Sequence, residues 1–253
     1  MTQDERLIEL EQRIKRQGKV TLEEICQQYG ISTDSARRDL VRLSHNPQIM
    51  RIRGGAILAE TRVGVPFVNR PQFDETKQRL AQGAVQTIAS NEILFIDAGT
   101  TSVALARQLT LPATVITNSP EVLNEAIGKP YVAITVLGGS LDAHSHAILG
   151  STTVAQIRQY HADRAIIGVS ALSAAGITTE TEADAQLKLA MAQQARKVVC
   201  ITAFEKFNTQ LMHQSCGWAD IDQIVTDRTP PQTILALIER FEIELLVVDK
   251  DSF

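Results

Sequence analysis

The chain is poor in the residues that mark several large classes of protein. Aromatic residues make up only 4% of its 253 positions, and its three cysteines, Cys26, Cys200 and Cys216, lack CxxC spacing. Such scattered cysteines argue against a disulfide scaffold or a zinc ribbon and favour reduced thiols packed in a core. No apolar run approaches the roughly 20 residues of a membrane-spanning helix, and residues 1–5 have no signal-peptide character. We therefore expect a cytoplasmic protein without a membrane partner.

An excess of positive charge is also missing. The formal net charge is −4, from 25 Lys and Arg residues against 29 Asp and Glu residues. A protein that coats nucleic acid with its entire surface is strongly basic, so this balance excludes that class. Any contact with nucleic acid must come from a local basic module.

One segment has that local character. Within residues 35–55, Asp39 is the only acid against five arginines. Ser32 can cap a helix in which Ala36, Leu40 and Leu43 recur at i, i+4 and i+7 and form one apolar stripe. Off this stripe, the first turns carry short polar residues and two arginines, which are residue types that contact base edges and phosphates in a major groove. The residues of this helix that we predict to contact DNA are Thr33, Asp34, Ser35, Arg37 and Arg38.

The residues before this helix complete a helix-turn-helix. Thr21 and Glu24 have the spacing of a capping box, and Gly30 can take the left-handed conformation that ends a short helix. An earlier amphipathic run supplies a third helix, with apolar residues at Leu7, Ile8, Leu10 and Ile14.

A basic hairpin follows. Residues 49–58 alternate apolar and basic side chains around a Gly-Gly pair, which predicts a two-stranded wing carrying Arg51 and Arg53 beside the duplex. A solvated charged face is the common alternative for helix arginines. Two caps, a glycine turn and a basic hairpin in this order favour a winged helix-turn-helix, and hence double-stranded operator DNA as a partner.

The chain divides into three predicted parts. These are a DNA-binding domain over residues 1–58, a linker over 59–73 and an α/β domain over 74–253. Pro66 and Pro71 interrupt the middle segment, which shows no sustained period and is therefore expected to be extended.

Beyond the linker, short β-branched runs alternate with helical patterns. Strands are predicted over 93–96, 114–117, 132–137, 164–169, 198–202 and 245–248. Helices are predicted between several of them, including 103–109, 119–127 and 183–195. This alternation predicts the α/β fold class, with a mainly parallel sheet covered by helices. In such sheets, ligands bind beyond the carboxyl ends of the strands.

The loop after the first of these strands is the best candidate for a ligand site. A glycine permits close approach of the backbone, and the unpaired N–H groups at the start of the next helix suit a phosphate. The acidic residue of the loop suits sugar hydroxyls or holds the loop itself. A capped turn without a ligand fits the same residues. They are Asp97, Gly99, Thr100, Thr101 and Ser102.

Other strand ends add small polar residues and one cation. Asn118 ends the next strand, and Lys206 follows a later strand. Gly138 and Gly139 end the strand between them in the chain and are expected to leave exposed backbone amides. Lys206 would bring a positive charge to an anion pocket, although solvent exposure is the usual state of a single lysine. Neither a Walker pattern nor GxGxxG is present, so no nucleotide cofactor is expected.

Taken in order, these motifs resemble those of DeoR-type bacterial transcriptional regulators over nearly the whole chain. The segments that carry the resemblance are residues 32–40, 51–56, 97–101, 117–118, 137–139, 168–170 and 206–207. The resemblance implies an N-terminal winged helix on operator DNA, most often in a repressor. It also implies a C-terminal domain that resembles ribose-5-phosphate isomerase and senses phosphorylated sugars or related metabolites. The effector site would then be lined by Asp97, Gly99, Thr100, Thr101, Asn118, Gly138, Gly139 and Lys206.

A second function from another class is an isomerase-like enzyme acting on sugar phosphates. Asp97, Asp184 and Lys206 would then carry out acid–base chemistry. An enzyme has no need of the N-terminal module, however, and the sequence shows no compact group of carboxylates.

A third function is a metal-dependent protein that uses His144 and His146. This pair has no nearby cysteine or acidic ligand beyond Asp142, so histidines in a loop are the favoured interpretation. We therefore predict a regulator, not an enzyme, with no catalytic residue, metal or cofactor. Paired operator half-sites favour a homo-oligomer, either a dimer or a tetramer.

Overall fold

The chain forms two compact units, over residues 1–63 and 64–253. The structure is a computed structural model that describes residues 2–17, 19–44, 49–52, 54–58, 65–71 and 74–248. Three parts of the sequence predictions lie outside the described residues, namely Arg53 and the linker segments 59–64 and 72–73. No described helix combines the length and the apolar character needed to cross a membrane.

The first unit is a winged helix-turn-helix. Its described elements are α1 (Gln3–Gln17), β1 (Lys19–Thr21), α2 (Leu22–Tyr29), α3 (Thr33–Leu43), β2 (Ile49–Ile52) and β3 (Gly55–Leu58). Strand β3 pairs antiparallel with β2, as predicted for the wing, and also with β1. Strand β1 was not predicted because three residues are too few to show a period. A Cβ at Gly55 would lie 2.2 Å from the carbonyl oxygen of Val20, so only glycine lets β1 approach this closely.

Capping residues set the ends of α2 and α3. The Thr21 hydroxyl accepts from the Glu24 N–H at 3.2 Å, and the Glu24 carboxylate accepts from the Thr21 N–H at 2.8 Å. Gly30, at φ +62°, ends α2, and the Ser32 hydroxyl caps α3 by accepting from the Ser35 N–H. The apolar stripe of α3 is buried as predicted, at Ala36, Leu40 and Leu43.

Two residues of this unit depart from the sequence predictions. Ile8, predicted on the apolar face of α1, is 61% exposed, because it lies to one side of the buried Leu10 and Ile14. Asp39, counted as a charge opposing the arginines of α3, is fully buried. Its carboxylate accepts from Arg6 Nε at 2.7 Å and from Gln3 Nε2 at 2.8 Å. The pair ties α1 to α3, since a buried charge requires a partner.

The second unit contains most of the chain. Its described helices and strands are α4 (Glu75–Gln86), β4 (Glu92–Ile96), α5 (Thr100–Gln108), β5 (Ala113–Thr117), α6 (Pro120–Ala126), β6 (Val132–Val136), β7 (Ser140–Asp142), β8 (Ala147–Leu149), α7 (Ser151–Ile157), β9 (Ala162–Gly168), β10 (Ala171–Ser173), β11 (Gly176–Thr179), α8 (Glu182–Gln193), β12 (Ala195–Thr202), β13 (His213–Gln214), β14 (Gln223–Thr226), α9 (Gln232–Arg240) and β15 (Glu244–Val247). Short 3-10 helices lie at Phe67–Asn69, Phe204–Lys206 and Trp218–Asp220.

Seven parallel strands form the central sheet, in the order β15-β14-β12-β9-β4-β5-β6. Alternate residues go to two separate cores, one on each face, as Leu94 and Ile96 do on one side and Phe95 on the other. Burial on both faces explains why these strands read as continuous apolar runs. All six predicted strands are present, and the mainly parallel α/β class is confirmed. The sequence patterns missed β14, α7, α9 and the short antiparallel pairs.

The described part of the predicted linker is folded onto the second unit. Residues 65–71 include the 3-10 helix Phe67–Asn69, and the Phe67 side chain is buried in a core of that unit. The Phe67 N–H donates to the His144 carbonyl at 2.8 Å, and its ring stacks on His146 at 5.0 Å between centroids. One buried aromatic residue gives no periodicity, so the sequence alone suggested extended chain.

The buried ion pair of the first unit leads to a stability prediction. Arg6→Met leaves the Asp39 carboxylate buried without its cation, which should lower local stability by about 3 kcal/mol. Hydrogen exchange of the amides in α1 and α3 measures this loss within the intact chain. Arg37→Met removes an exposed arginine from the same helix bundle and should leave exchange nearly unchanged. Equal protection in the two variants would contradict the role given to the pair.

Candidate functional site

The predicted DNA-contacting residues of α3 lie on its solvent side. Thr33, Asp34, Arg37 and Arg38 are exposed and Ser35 is half-buried. Arg37 lies 3.5 Å from Asp34, and Arg38 donates to the Ser35 hydroxyl at 3.3 Å. Such exposed contacts contribute little stability, so the guanidiniums can exchange them for phosphates or bases at low cost.

The burial of Asp39 leaves this surface more basic than the sequence suggests. Because Arg6 neutralises Asp39 inside the unit, Asp34 is the only exposed acid on α3, whose residues are all described. Arg42 on the same helix and Arg51 on β2 are also exposed. The helix and the wing therefore present a local positive surface, as a DNA-reading module requires.

The carboxyl ends of β4, β5 and β6 lie side by side in the second unit. Ile96 is in register with Thr117, and Thr117 with Val136. The Thr117 hydroxyl donates to the Ile96 carbonyl at 2.6 Å and ties the first two strand ends together. Neighbouring strands lie about 5 Å apart, so the loops after these strands are adjacent. The structure thus brings the predicted residues after β4, β5 and β6 to one edge of the sheet.

The start of α5 has donors that no side chain caps. Gly99, at φ +153°, is its N-cap, and the first helical bond runs from the Val103 N–H to the Gly99 carbonyl. The amides of residues 99–102 therefore precede the helical hydrogen-bond ladder. Thr100 and Ser102 are buried, Thr101 is half-buried, and a Cβ at Gly99 would meet nothing closer than 3.9 Å. An open helix start of this kind suits an anion.

Three other helices of this unit are capped by side chains. Hydroxyl or carboxylate oxygens accept from first-turn amides at the starts of α4, α6 and α8, from Asp74, Ser119 and Thr181. The helices α7 and α9 begin without a side-chain cap, as α5 does. The missing cap therefore does not by itself mark a binding site, and the side chains beside the start of α5 have to be considered with it.

Asn118 lies beside this helix start and has an unsatisfied oxygen. The side chain is fully buried, and its Nδ2 donates to the Ile148 carbonyl at 3.3 Å. Its Oδ1 has no hydrogen-bond partner among the described residues. A buried amide oxygen without a donor is costly, so this atom points to a donor supplied from outside the chain.

The glycine pair after β6 serves packing. The sequence suggested exposed amides here, but the Gly138 N–H donates to Gln156 Oε1 at 2.8 Å and its carbonyl accepts from Thr153 at 2.9 Å. A Cβ at Gly139, which has φ +156°, would lie 2.1 Å from Thr153 Oγ1. The pair therefore lets α7 close against this edge, and the Gly138 amide is already occupied.

Lys206 lies farther along the same edge. It ends the 3-10 helix after β12, and β9 separates β12 from β4 in the sheet. Burial lowers the pKa of Lys77, Arg70 and Lys206 lower it further, and Asp74 and Glu205 act in the opposite direction. Lys206 therefore belongs to a group of mixed charge, and its strand is two strands away from β4, which leads into α5.

The structure also reveals Lys188, which the sequence did not suggest. Its ammonium group forms an ion pair with Asp97 and lies 3.4 Å from the Asp184 carboxylate. Thr179 donates in turn to Asp184. The available signal was a lysine between two leucines, four residues after Asp184, a spacing that brings the lysine and the aspartate onto one face of the helix. Its partner Asp97, far away in the chain, left no local signal.

Asp97 holds its own loop. The side chain is fully buried, with Oδ1 accepting from the Ala98 N–H at 2.7 Å and Oδ2 paired with Lys188. Burial raises the pKa of Asp97 to about 6 despite the opposing effect of Lys188. Burial acts to lower the pKa of Lys188, but Asp184 and Asp97 outweigh it and raise that pKa. The pair is therefore ionised at neutral pH. Of the two roles considered for Asp97, the geometry favours holding the loop.

The two histidines of the HxH pair have separate partners. His146 Nδ1 lies 2.6 Å from the Glu121 carboxylate, and His144 Nε2 lies 3.4 Å from Glu180. Within the described ranges, no three His, Cys, Asp or Glu side chains gather as metal ligands. These contacts give both histidines a place in the packing around β7 and β8.

The two units first define a class of protein. A winged helix-turn-helix with a basic reading surface, followed by a parallel α/β unit, is the architecture of a DNA-binding regulator with a sensor domain. Residues 6–62 match the DeoR-like helix-turn-helix domain, and residues 72–228 match the DeoR C terminal sensor domain. The chain belongs to the DeoR family of transcriptional regulators.

Individual relatives agree with this assignment. The chain is 34% identical to the HTH-type transcriptional repressor GlcR of Bacillus subtilis (strain 168), over 100% of this chain and 99% of the relative. It is 30% identical to the glycerol-3-phosphate regulon repressor of Escherichia coli (strain K12), over 92% and 94% of the two chains. Since these relatives are regulators, the chain is a regulator and not an enzyme, and the isomerase alternative is not favoured.

Solved structures of ribose 5-phosphate isomerase align with part of the chain. The enzyme from Methanocaldococcus jannaschii does so with a TM-score of 0.38 and 17% identity, over 52% of this chain and 53% of that one.

The packing of the glycine pair leads to a matched prediction. Gly139→Ala should destabilise the second unit by about 1–3 kcal/mol, because its Cβ would overlap Thr153 and the Leu149 carbonyl. Gly128→Ala places the same methyl group in open space and should be neutral or slightly stabilising. Urea unfolding followed by Trp218 fluorescence compares the two variants. Equal stability of the two variants would show that the neighbours of Gly139 can accommodate a Cβ at this position.

Proposed function

We propose that the protein represses a sugar or sugar-derivative catabolic operon. A phosphorylated sugar, bound at the carboxyl ends of β4 to β6, controls its affinity for double-stranded operator DNA. The observation that carries this proposal is the uncapped start of α5 beside the buried, unsatisfied Oδ1 of Asn118. The protein acts in the cytoplasm, where operator DNA and phosphorylated sugars meet.

The donors and acceptors of this site suit two parts of one ligand. The amides of residues 99–102 and the hydroxyl of Thr101 accommodate a phosphate, helped by the positive end of the helix dipole. Asn118 Oδ1 accepts from a sugar hydroxyl, which relieves its missing hydrogen bond. Lys206 contributes positive charge from farther along the edge. The name of the Escherichia coli relative, a glycerol-3-phosphate regulon repressor, supports a phosphorylated polyol or sugar as the class of ligand.

DNA is read by a pair of winged helices. A dimer or tetramer places two copies of α3 in major grooves at half-sites separated by about 34 Å or a multiple of it. Arg37, Arg38 and Arg51 contact phosphates or guanines, with Thr33, Asp34 and Ser35 at base edges, and Arg53 of the wing is assigned beside them. The effector can change the free energy of DNA binding by at most the difference between its own binding free energies for the two arrangements of the subunits.

Arg38→Ala tests the reading helix. Loss of one guanidinium contact should weaken operator binding by about 1–3 kcal/mol, which is a rise in Kd of about fivefold to 150-fold. Fluorescence anisotropy with a labelled promoter fragment, measured over a salt series, gives the affinity and its salt dependence. Arg196→Ala removes an exposed arginine from β12 in the second unit and should leave binding unchanged. Unaltered operator affinity in Arg38→Ala would remove α3 from the DNA interface.

Gly99→Val tests the effector loop. A β-branched residue is strained at φ +153°, and its side chain enters the open space at the start of α5. Wild-type protein should gain about 5–10 °C in Tm at a hundredfold excess over Kd of its effector, and the variant should gain almost nothing. The probes are glucose 6-phosphate, fructose 6-phosphate, ribose 5-phosphate and glycerol 3-phosphate, with inorganic phosphate for comparison.

Two further measurements make this test specific. Gly99→Val should keep its operator affinity without effector, which shows that the first unit is intact. Gly128→Ala, at an open position outside the loop, should respond as wild type does. Stabilisation of Gly99→Val equal to that of wild type would place the effector elsewhere.

A further inference from the structure

Lys188 is a buried cation that contacts two separate parts of the second unit. It lies on α8, and its side chain is only 4% exposed. Its ammonium group pairs with Asp97 in the loop after β4 and with Asp184 one turn earlier in α8. Burying three ionisable groups together costs desolvation energy, so stability alone is a weak reason for such a cluster.

The cluster contacts the loop that leads into α5. Asp97 Oδ2 is held by Lys188, and Oδ1 of the same carboxylate accepts from the Ala98 N–H at 2.7 Å. Lys188 of α8 and the Ala98 N–H each hold one oxygen of the carboxylate, and together these two contacts restrict its rotation and orient the Ala98 peptide. Gly99 and the first amides of α5 follow directly in the chain.

The ion pair lies beside the end of β9 and continues to β11. Gly168, at the end of β9, lies next to the carboxylate, since a Cβ there would be in ordinary contact with Asp97 Oδ2 at 3.7 Å and with Ser102 Oγ at 3.9 Å. On the other side of Lys188, Asp184 is held by the Thr179 hydroxyl of β11. A continuous polar chain thus connects β11, α8 and the loop.

We propose that Lys188 is the positioning residue of the effector site, which it serves by fixing Asp97 and so the orientation of the Ala98 and Gly99 peptides at the start of α5. This inference rests on the proposed function for the identity of the ligand. The ordering of the loop by Lys188 does not depend on the identity of the ligand and can be measured without one. Binding sites require supporting residues that hold the contacting groups in place, and a loop of small residues has few of its own.

Lys188→Met in the full-length protein tests the proposal, with Arg164→Met as a matched control. Arg164 on β9 pairs with Glu92 on β4 at 2.7 Å and is 14% exposed. Arg164 and Glu92 therefore form another largely buried ion pair between elements of the same unit, at the amino ends of their strands. Both variants should lower Tm, which removes general destabilisation as an explanation of any difference.

Two readouts separate positioning from simple stability. Without ligand, hydrogen exchange of the amides of residues 98–102 should be at least tenfold faster in Lys188→Met and unchanged in Arg164→Met. The Kd of the sugar phosphate that most stabilises wild type should rise at least tenfold in Lys188→Met only. Operator affinity without effector should be retained in both variants.

Each alternative outcome is distinct. Equal loop exchange in the two variants would overturn the proposal. Weaker binding with unchanged loop exchange would make Lys188 a direct ligand and would also overturn it. If no sugar phosphate binds wild type, the proposed function fails, and the exchange measurement still decides whether Lys188 orders the loop. If Lys188→Met does not fold, Asp97→Asn removes the same ion pair isosterically and should show the same two effects.

Discussion

The parallel register of β4 with its neighbours β5 and β9 is the constraint on which the second unit depends. It sets Ile96 beside Thr117 on one side and beside Ile166 on the other. The residues that follow these strands are therefore neighbours in space although they are far apart in the chain. Parallel strands need crossover connections, and these place helix starts at the same edge. Because both faces of the sheet are buried, this edge is where polar side chains and open helix amides can collect.

Both units solve one electrostatic problem in the same way. Each buries an aspartate and neutralises it with a basic residue from a separate element. Asp39 of α3 pairs with Arg6 of α1, and Asp97 of the loop after β4 pairs with Lys188 of α8. In the first unit, the pairing buries an acid of α3, so the exposed arginines of that helix have one fewer opposing charge beside them. In the second unit, the pairing holds Asp97 and the loop that follows it. In both cases a buried ion pair sets the charge or the geometry of a surface to which the proposed function assigns a ligand.

Features with a local physical cause could be predicted from the sequence. The capping box of Thr21 and Glu24, the left-handed Gly30 and the buried stripe of α3 each depend on a few neighbouring residues. The long apolar strands could be predicted because burial on both faces leaves a continuous signal. The alternation of strands and helices predicted that the loops after β4 and β5 lie at one edge, and the register of Ile96 with Thr117 places the ends of these two strands side by side.

What could not be predicted depends on contacts distant in the chain. Asp39 looks like any exposed acid until Arg6 is brought next to it, and Lys188 looks misplaced in its helix until Asp97 arrives from 91 residues away. The short strands β1, β11 and β13 exist only because a partner strand pairs with them. The glycines after β6 were expected to offer free amides, but α7 packs against them and supplies Gln156 as an acceptor.

Both ligands of the proposed function are anions, and the two units capture them by different physical means. The side chains proposed to contact DNA include exposed guanidiniums. Their attraction for DNA involves the release of counterions and falls steeply with added salt. A phosphate at the start of α5 meets neutral amides in a partly buried loop, whose hydrogen bonds and dipole are screened much less. With a net charge of −4, the chain as a whole does not attract an anionic effector, so recognition depends on the local site, its loop and the positive charge nearby. Under the proposed function, operator binding should therefore fall more steeply with added salt than effector binding does.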